Sequence, residues 1–357
     1  MTTISIRSPW VVALPILVLA TAPLAAAPLA AQAPPGSEHV GSAFTFEEIR
    51  PGIWFAVGTG SLTVFSNATV IVNEEDVLVV DTHVSPAAAF ALREELEAIT
   101  DKPIRYVVST HYHFDHAHGN QIYVGSAEII GHEYTRWALE NGLSLTGPTF
   151  ARFLAPIPER VEQLRAQVAA AETPEARETA EGRLLIQENF LEATNAVVPT
   201  PPTITLRDRM TLVRGGREIQ IIHLGRGHTA GDVVVYLPEE RLLMTGDLFY
   251  GGIPYMGTAY LSDWADTLER MKELDFEMVL PGHGGVVTDR QQIDRLQAYM
   301  RDLWAQIQEM HAAGVPAEEA AARIDLRAHG DNFAAARRLG ADVDAVVRGY
   351  ELLNEAR

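Results

Sequence analysis

At 357 residues, 47% of them apolar, the chain can bury a sizeable core and is long for one domain but short for three. Its formal charge of −19 opposes phosphate backbones, which excludes nucleic acid as an expected partner. Cysteine is absent, which excludes disulfides, thiolate metal sites and a lipid-modified Cys, so any metal must be held by histidine and carboxylate.

The chain opens with "MTTISIR" and an apolar, alanine-rich run, and Arg7 is the only ionised side chain in residues 1–33. That pattern reads as a signal peptide, with "AQA" at 31–33 as a small-x-small cleavage site. Pro34 follows that site, as Pro28 follows the alternative at 25–27. Pro15, Pro23 and Pro28 interrupt the run and oppose a regular spanning helix. The expectation is a periplasmic or secreted protein with no stable membrane insertion once the signal is removed.

A Pro/Gly/Ser linker near 34–42 leads into β-branched and aromatic runs, "GIWFAVG", "LTVFSNATVIVN" and "VLVVD", which read as strands. Ser85 and Pro86 signal a helix start, with the helix running to about Ile99. "IRYVVST" is a buried-strand pattern that stops where His111 begins. A second unit repeats the plan with "EIQIIHL", "DVVVYL", "RLLMTGD" ending at Asp247, a helix at about 262–274, and "EMVLPGHG" ending at His283. Ligand sites of α/β sheets lie at such carboxyl ends, and the repetition implies a pseudo-duplicated α/β sandwich. Between the halves, residues 150–200 are Ala, Glu and Arg rich with helical spacing, as for a surface hairpin or a lid. Residues 290–357 read as a packed helical extension, with Val343, Val346, Val347, Tyr350 and Leu353 as its apolar stripe. The expected division is therefore 1–33, 43–289 and 290–357.

The stretch "STHYHFDHAHGN" crowds titratable groups between an apolar run and a glycine. On an extended strand end His111 and His113 alternate and point the same way, while Asp115 and His116 follow the turn and face a neighbouring point. Zinc takes four nitrogen or oxygen ligands, so the stretch is short of donors for two ions. His228 in "GRGHTAGD", Asp247 in "MTGDLF" and His283 in "LPGHGG" complete the count at other strand ends. His111, His113, His228 and Asp247 then serve one metal, and Asp115, His116, His283 and the second oxygen of Asp247 serve the other. Tyr112, Phe114 and Tyr255 are candidates for the substrate pocket, and His118 for a place behind the ligands. His83 and His223 read as bystanders.

"HYHFDH", with "GHTAGD", "TGD" and "PGHG" downstream, resembles the metallo-β-lactamase superfamily over roughly residues 46–289. The resemblance implies a four-layer αβ/βα sandwich with a dinuclear, usually zinc, centre on one edge, and the same seven ligands. It also places Asp81 in "VVDT" as support for the metal-bearing loop. Asp247 departs from the zinc β-lactamases, and a bridging aspartate implies instead the generic hydrolases of the superfamily, such as glyoxalase II, lactonases and alkylsulfatases. The activity so implied is hydrolysis of a small-molecule lactam, lactone, ester, thioester or related ester by a hydroxide shared between two Zn2+, with Fe or Mn as substitutes and Asp115 accepting the water's proton. Hydrolysis of β-lactam antibiotics and a mononuclear iron sulfur dioxygenase are the competing readings.

Overall fold

The computed structural model describes residues 32–355, so the expected export signal lies, but for its last two residues, outside the described residues. A hairpin opens the fold: β1 (Phe44–Arg50) and β2 (Ile53–Gly58) pair antiparallel around Pro51 and Gly52. Gly52 has φ +75°, the left-handed position that a Pro-Gly turn assigns to glycine. β3 (Ala68–Val72) and β4 (Val77–Val80) continue the antiparallel run. α1 (Pro86–Leu96) then crosses over to β5 (Ile104–Val108), which pairs parallel to β4. Ser85 caps α1 by accepting from Ala88 N–H at 3.2 Å, with Pro86 in the first turn.

After the short α2 (Phe114–Ala117), β6 (Glu128–His132) joins the same sheet. The helical segment follows as α3 (Glu133–Glu140), α4 (Leu143–Thr146), α5 (Pro148–Leu154), α6 (Ile157–Ala170) and α7 (Pro174–Asn195). β7 (Ile204–Leu206) closes a seven-stranded sheet in the order β1-β2-β3-β4-β5-β6-β7. The second sheet consists of β8 (Arg209–Arg214), β9 (Arg217–Ile222), β10 (Val234–Leu237), β11 (Leu242–Gly246) and β12 (Met278–Pro281). Its order is β12-β11-β10-β9-β8, with β12 parallel to β11 through the crossover helix α8 (Leu261–Lys272). Both halves thus end an antiparallel run in a parallel strand reached through a helix. α9 (Gln291–Ala312), α10 (Ala317–Arg323) and α11 (Val343–Glu355) complete the chain.

Strand alternation sorts the apolar side chains into layers. Leu78 and Val80 of β4 meet Ile219, Ile221, Met244 and Leu280 between the two sheets. Val77 and Val79 face outward onto Ala88 and Leu92 of α1. In the second sheet Val234, Leu243 and Val279 face outward onto Trp264 and Leu268 of α8, Leu296 and Met300 of α9, and Val346 of α11. The result is helix, sheet, sheet, helix: the four-layer αβ/βα sandwich expected from the sequence. Among the described residues no helix is long and apolar enough to cross a membrane.

The structure corrects several element readings. "LTVFSNATVIVN" is not one strand: residues 62–67 form a loop and the strand begins at Ala68. α1 stops at Leu96 rather than Ile99. The buried face of α11 is Ala345, Val346, Gly349 and Leu352; of the stripe read in sequence, Val346, Tyr350 and Leu353 pack on the core and Val343 is exposed. β1, β6, β7 and β8 carry no clear sequence signal. Three of them are sheet edges, and β8 alternates only between exposed and half-buried residues, so its polar composition hides it.

Leu243 is fully buried between β11 and the outer helices. Leu243→Ala is expected to lower unfolding stability by about 2–5 kcal/mol, read as a lower urea midpoint at unchanged m-value.

Candidate metal centre

The candidate ligands lie in the segments that follow β5, β9, β11 and β12. β5 ends at Val108, and His111 to His113 lie in a bend that passes straight into α2. The two histidines are therefore not on an extended strand end, although their rings still meet with centroids 4.7 Å apart. β11 ends at Gly246 just before Asp247, β12 ends at Pro281 two residues before His283, and His228 sits in the loop between β9 and β10. Gly282 has no room for a side chain: a Cβ there would lie 2.6 Å from Asp247 Oδ1 and from His116 Cε1.

All seven candidate ligands are brought together. Three overlapping triplets, His111/His113/His228, His111/His116/Asp247 and Asp115/His116/His283, each offer donor atoms within 4.8 Å of one another. Six of the seven are buried, and His283 is the half-exposed member on the cavity side.

Hydrogen bonding orients the rings. Asp81 accepts from Thr110 N–H at 2.8 Å, Thr110 Oγ1–H at 2.9 Å and His116 Nδ1–H at 2.8 Å. Because the Thr110 hydroxyl donates to Asp81, it can only accept from His111 Nδ1–H at 3.1 Å. Likewise Thr258 Oγ1 donates to His228 O at 3.3 Å and so accepts from His113 Nε2–H at 3.0 Å. His111 and His113 thus commit one N–H to a hydroxyl and turn a lone pair inward, while His116 gives its Nδ1–H to Asp81. His111 Nε2 and Asp247 Oδ1 are buried with no hydrogen-bond partner at all.

The inward lone pair of His113 Nδ1 lies 2.9 Å from His228 Nε2. His116 Nε2 lies 3.3 Å from His283 Nε2 and 3.3 Å from Asp247 Oδ1, and His283 Nε2 lies 3.1 Å from Asp115 Oδ2. Donors about 2.05 Å from one tetrahedral cation are about 3.3 Å from each other. The spacings here are close to that value, and the N/O donor set suits divalent zinc. Asp247 joins the two groups: Oδ1 also lies 3.3 Å from His283 Nε2, while Oδ2 lies 3.5 Å from His228 Nε2.

The electrostatics divide along the same line. Burial holds His113 down to about 3, His228 down to about 4, and His111 well below the usual imidazole range, so these three are neutral. Burial also opposes charge on His116 and His283, but Asp247 and Asp115 outweigh it, raising His116 well above its usual value and His283 to about 10. Two buried carboxylates thus favour protons on the nearest imidazoles.

A cavity of about 470 Å3 opens over the donors, walled by Phe65, Phe114, Phe153, Tyr250 and Tyr255 beside His283. Phe114 and Tyr255 are on that wall as the sequence suggests. Tyr112 is not: it is 6% exposed and packs on Ala117, Ala138 and Leu139, because the side chain between two inward histidines turns outward. His118 makes no side-chain hydrogen bond and lies edge-on to Phe150 at 4.9 Å, propping the aromatic wall rather than a candidate ligand. The Tyr250 hydroxyl donates to Ile253 O and that of Tyr255 to Asp344, so neither is free for the centre.

His83 is no bystander. It is fully buried with Nδ1 3.1 Å from Ser66 O, and Ser66 Oγ–H donates to Asp115 O at 2.5 Å. Asn67 ties the loop to the other ligand segment through its N–H to Gly282 O at 2.7 Å and its amide to Pro281 O at 3.1 Å and Gly284 O at 2.9 Å. Sequence reasoning missed Ser66, Asn67, Thr110 and Thr258. Only Thr110 carried a signal, its place directly before the histidine-rich stretch.

A family model described as the metallo-beta-lactamase superfamily matches residues 62–283. A linear primary-alkylsulfatase of Pseudomonas sp. (strain ATCC 19151) is 24% identical over 266 residues, 71% of this chain and 49% of that protein. The chain spans between 31% and 57% of the length of the curated relatives it matches. Among solved structures, a stereoselective inverting sec-alkylsulfatase from Pseudomonas sp. superposes with TM-score 0.60 at 15% identity, over 87% of this chain and 50% of that one. A metallo-beta-lactamase from Pontibacter korlensis superposes with TM-score 0.51 at 18% identity, over 72% of this chain and 99% of that one. At these identities the likeness shows the fold.

Two substitutions test the geometry. Asp81→Asn removes the acceptor of three hydrogen bonds and is expected to weaken metal binding about 10–100-fold, measured by competition with a chromophoric chelator, with the circular-dichroism spectrum retained. Gly282→Ala, by driving a methyl group against Asp247 and His116, is expected to lower the bound-metal stoichiometry. Wild-type stoichiometry and affinity in Gly282→Ala would contradict the packing described.

Proposed function

Because the chain belongs to the metallo-beta-lactamase superfamily, we propose that it is a dinuclear zinc hydrolase acting on an ester-type bond of a small molecule. The observation that carries the reading is Asp247, whose two oxygens face two different donor groups. His111, His113 and His228 would hold one ion with Asp247 Oδ2, and Asp115, His116 and His283 the other with Asp247 Oδ1. When bound, such cations bring the pKa of water near neutrality and polarise a carbonyl or phosphoryl oxygen.

The protein's own residues do the rest. Neutral His111, His113 and His228 keep lone pairs free at physiological pH, so ligation needs no deprotonation there. Asp115 is buried, which would raise its carboxyl, but His116 and His283 outweigh that and hold it down to about 2. It therefore presents an ionised oxygen to the cavity floor, where it orients water and accepts a proton. Phe65, Phe114 and Phe153 limit the water around the attacked bond.

The alkylsulfatase relatives favour including sulfate esters with carboxylic esters, thioesters and lactones. The Asp247 bridge weighs against a mononuclear iron dioxygenase, which would leave Asp115 and His283 without work. Export to the periplasm or the medium belongs to the same proposal and rests on residues 1–33 alone.

Purified protein is expected to contain about two equivalents of zinc and to hydrolyse at least one ester in a panel of lactam, lactone, thioester, phosphoester and sulfate ester, with turnover abolished by chelation and restored by zinc. One equivalent of iron with oxygen consumption would install the dioxygenase reading, and turnover of the lactam alone would install the lactamase reading. His113→Ala, losing a donor rather than its support, is expected to cut turnover by more than about 100-fold and to lower metal content with the fold intact. N-terminal sequencing of exported protein is expected to begin near residue 34; a start at Met1 would remove the export reading.

A further inference from the structure

Of the described phenylalanines only Phe65 and Phe153 are exposed, 42% and 48% respectively. They stand against each other at the mouth of the metal cavity, ring centroids 5.2 Å apart. Phe114 closes the third side, 6.3 Å from Phe65 and 5.5 Å from Phe153. Behind this wall the rings are dry: Phe190 lies 5.4 Å from Phe65 and Phe150 lies 5.2 Å from Phe114. The front face opens onto the cavity that holds His113, Asp115 and His283.

Phe65 is held there against its own backbone preference. It has φ +61°, and Ser66 N–H bonds to Val64 O at 2.9 Å across it, a γ-turn of the strained, positive-φ kind. For a bulky residue that conformation is an outlier, and such outliers persist where the surroundings over-determine them. Here the next two residues do so, because Ser66 is tied to Asp115 and Asn67 to Gly282. Phe153 comes from α5, in the helical segment between the two halves of the fold. Its neighbour Arg152 also lines the cavity but is paired with Asp344 at 2.8 Å, so the three phenylalanine rings form a contiguous apolar stretch of the wall beside it. A contiguous exposed apolar patch marks a binding site, and a cavity of about 470 Å3 suits a small molecule rather than a protein partner.

We propose that Phe65, Phe114 and Phe153 bind an apolar chain or ring of the substrate, so that the substrate is an amphiphile with its hydrolysable group at the metal donors and several carbons along the phenylalanines. The position of the scissile bond rests on the hydrolase reading above, whereas the apolar binding is measurable without turnover.

The test titrates n-alkyl carboxylates from acetate to octanoate into the zinc-loaded protein by calorimetry, beside assays of p-nitrophenyl esters of the same chain lengths. Affinity is expected to rise about fourfold per added methylene until the wall is covered. Phe153→Ala and Phe65→Ala are each expected to reduce that increment to below about twofold. Val213→Ala, a change on an exposed residue of the edge strand β8, is the control expected to retain it. Phe153 is half exposed, so its truncation leaves a folded protein, checked by zinc content. Chain-length-independent affinity, or an undiminished increment in both phenylalanine variants, overturns the proposal. Absent hydrolysis with the affinity ladder intact removes the hydrolase reading and leaves the apolar site standing; a flat ladder with hydrolysis intact does the reverse.

Discussion

Asp115 and Asp247 are buried against the same pair of imidazoles, and the rest of the edge is organised around that unbalanced negative charge. Burying an unpaired carboxylate costs several kcal/mol even after relaxation. His116 and His283 offset it by taking protons, while burial keeps His111, His113 and His228 neutral with lone pairs available. On the proposed reading, a dication on each side of Asp247 would answer both demands at once: it would replace the protons as countercharge and give the neutral lone pairs a partner. Asp81 lies beneath, and its left-handed backbone lets one carboxylate reach both Thr110 and His116.

The charge cluster is assembled from segments that only the docked sheets bring together. Residues 66 and 67, ahead of β3 in the first sheet, reach Asp115 and then Pro281, Gly282 and Gly284 at the end of the second. Thr82 N–H donates to His116 O at 2.8 Å, so the turn after β4 also grips the histidine-rich stretch. Since none of these ties is local, the donor set can exist only after both halves are folded. Metal bound there would be linked to folding and would stabilise the sandwich at that edge.

The cavity mouth is shaped by segments outside the two sheets. α5 contributes Phe153 and Arg152, α11 contributes Asp344, and the loop after β11 contributes Tyr255, whose hydroxyl donates to the same carboxylate that pairs with Arg152. Arg152 is largely exposed, so its ion pair adds little stability. What it contributes is position: it joins the helical insertion to the C-terminal helix across the entrance. The entrance to the cavity is therefore framed by helices that lie outside the two sheets.

Residue type and strand pattern were enough to read the chemistry. A cysteine-free chain with five histidines and two aspartates just beyond β-branched runs can bind metal only through nitrogen and oxygen, and strand ends in an α/β sheet share one edge. The paired halves, the helix start at Ser85 and the four layers were legible because they depend on periodicity and capping, which are local. Tertiary structure alone decided which hydroxyls orient the rings, that His83 and Ser66 hold Asp115, that Tyr112 turns away, and which face of α11 is buried. Those outcomes depend on contacts between residues of ordinary type far apart in the chain, and no local pattern encodes a partner that folding has yet to bring near.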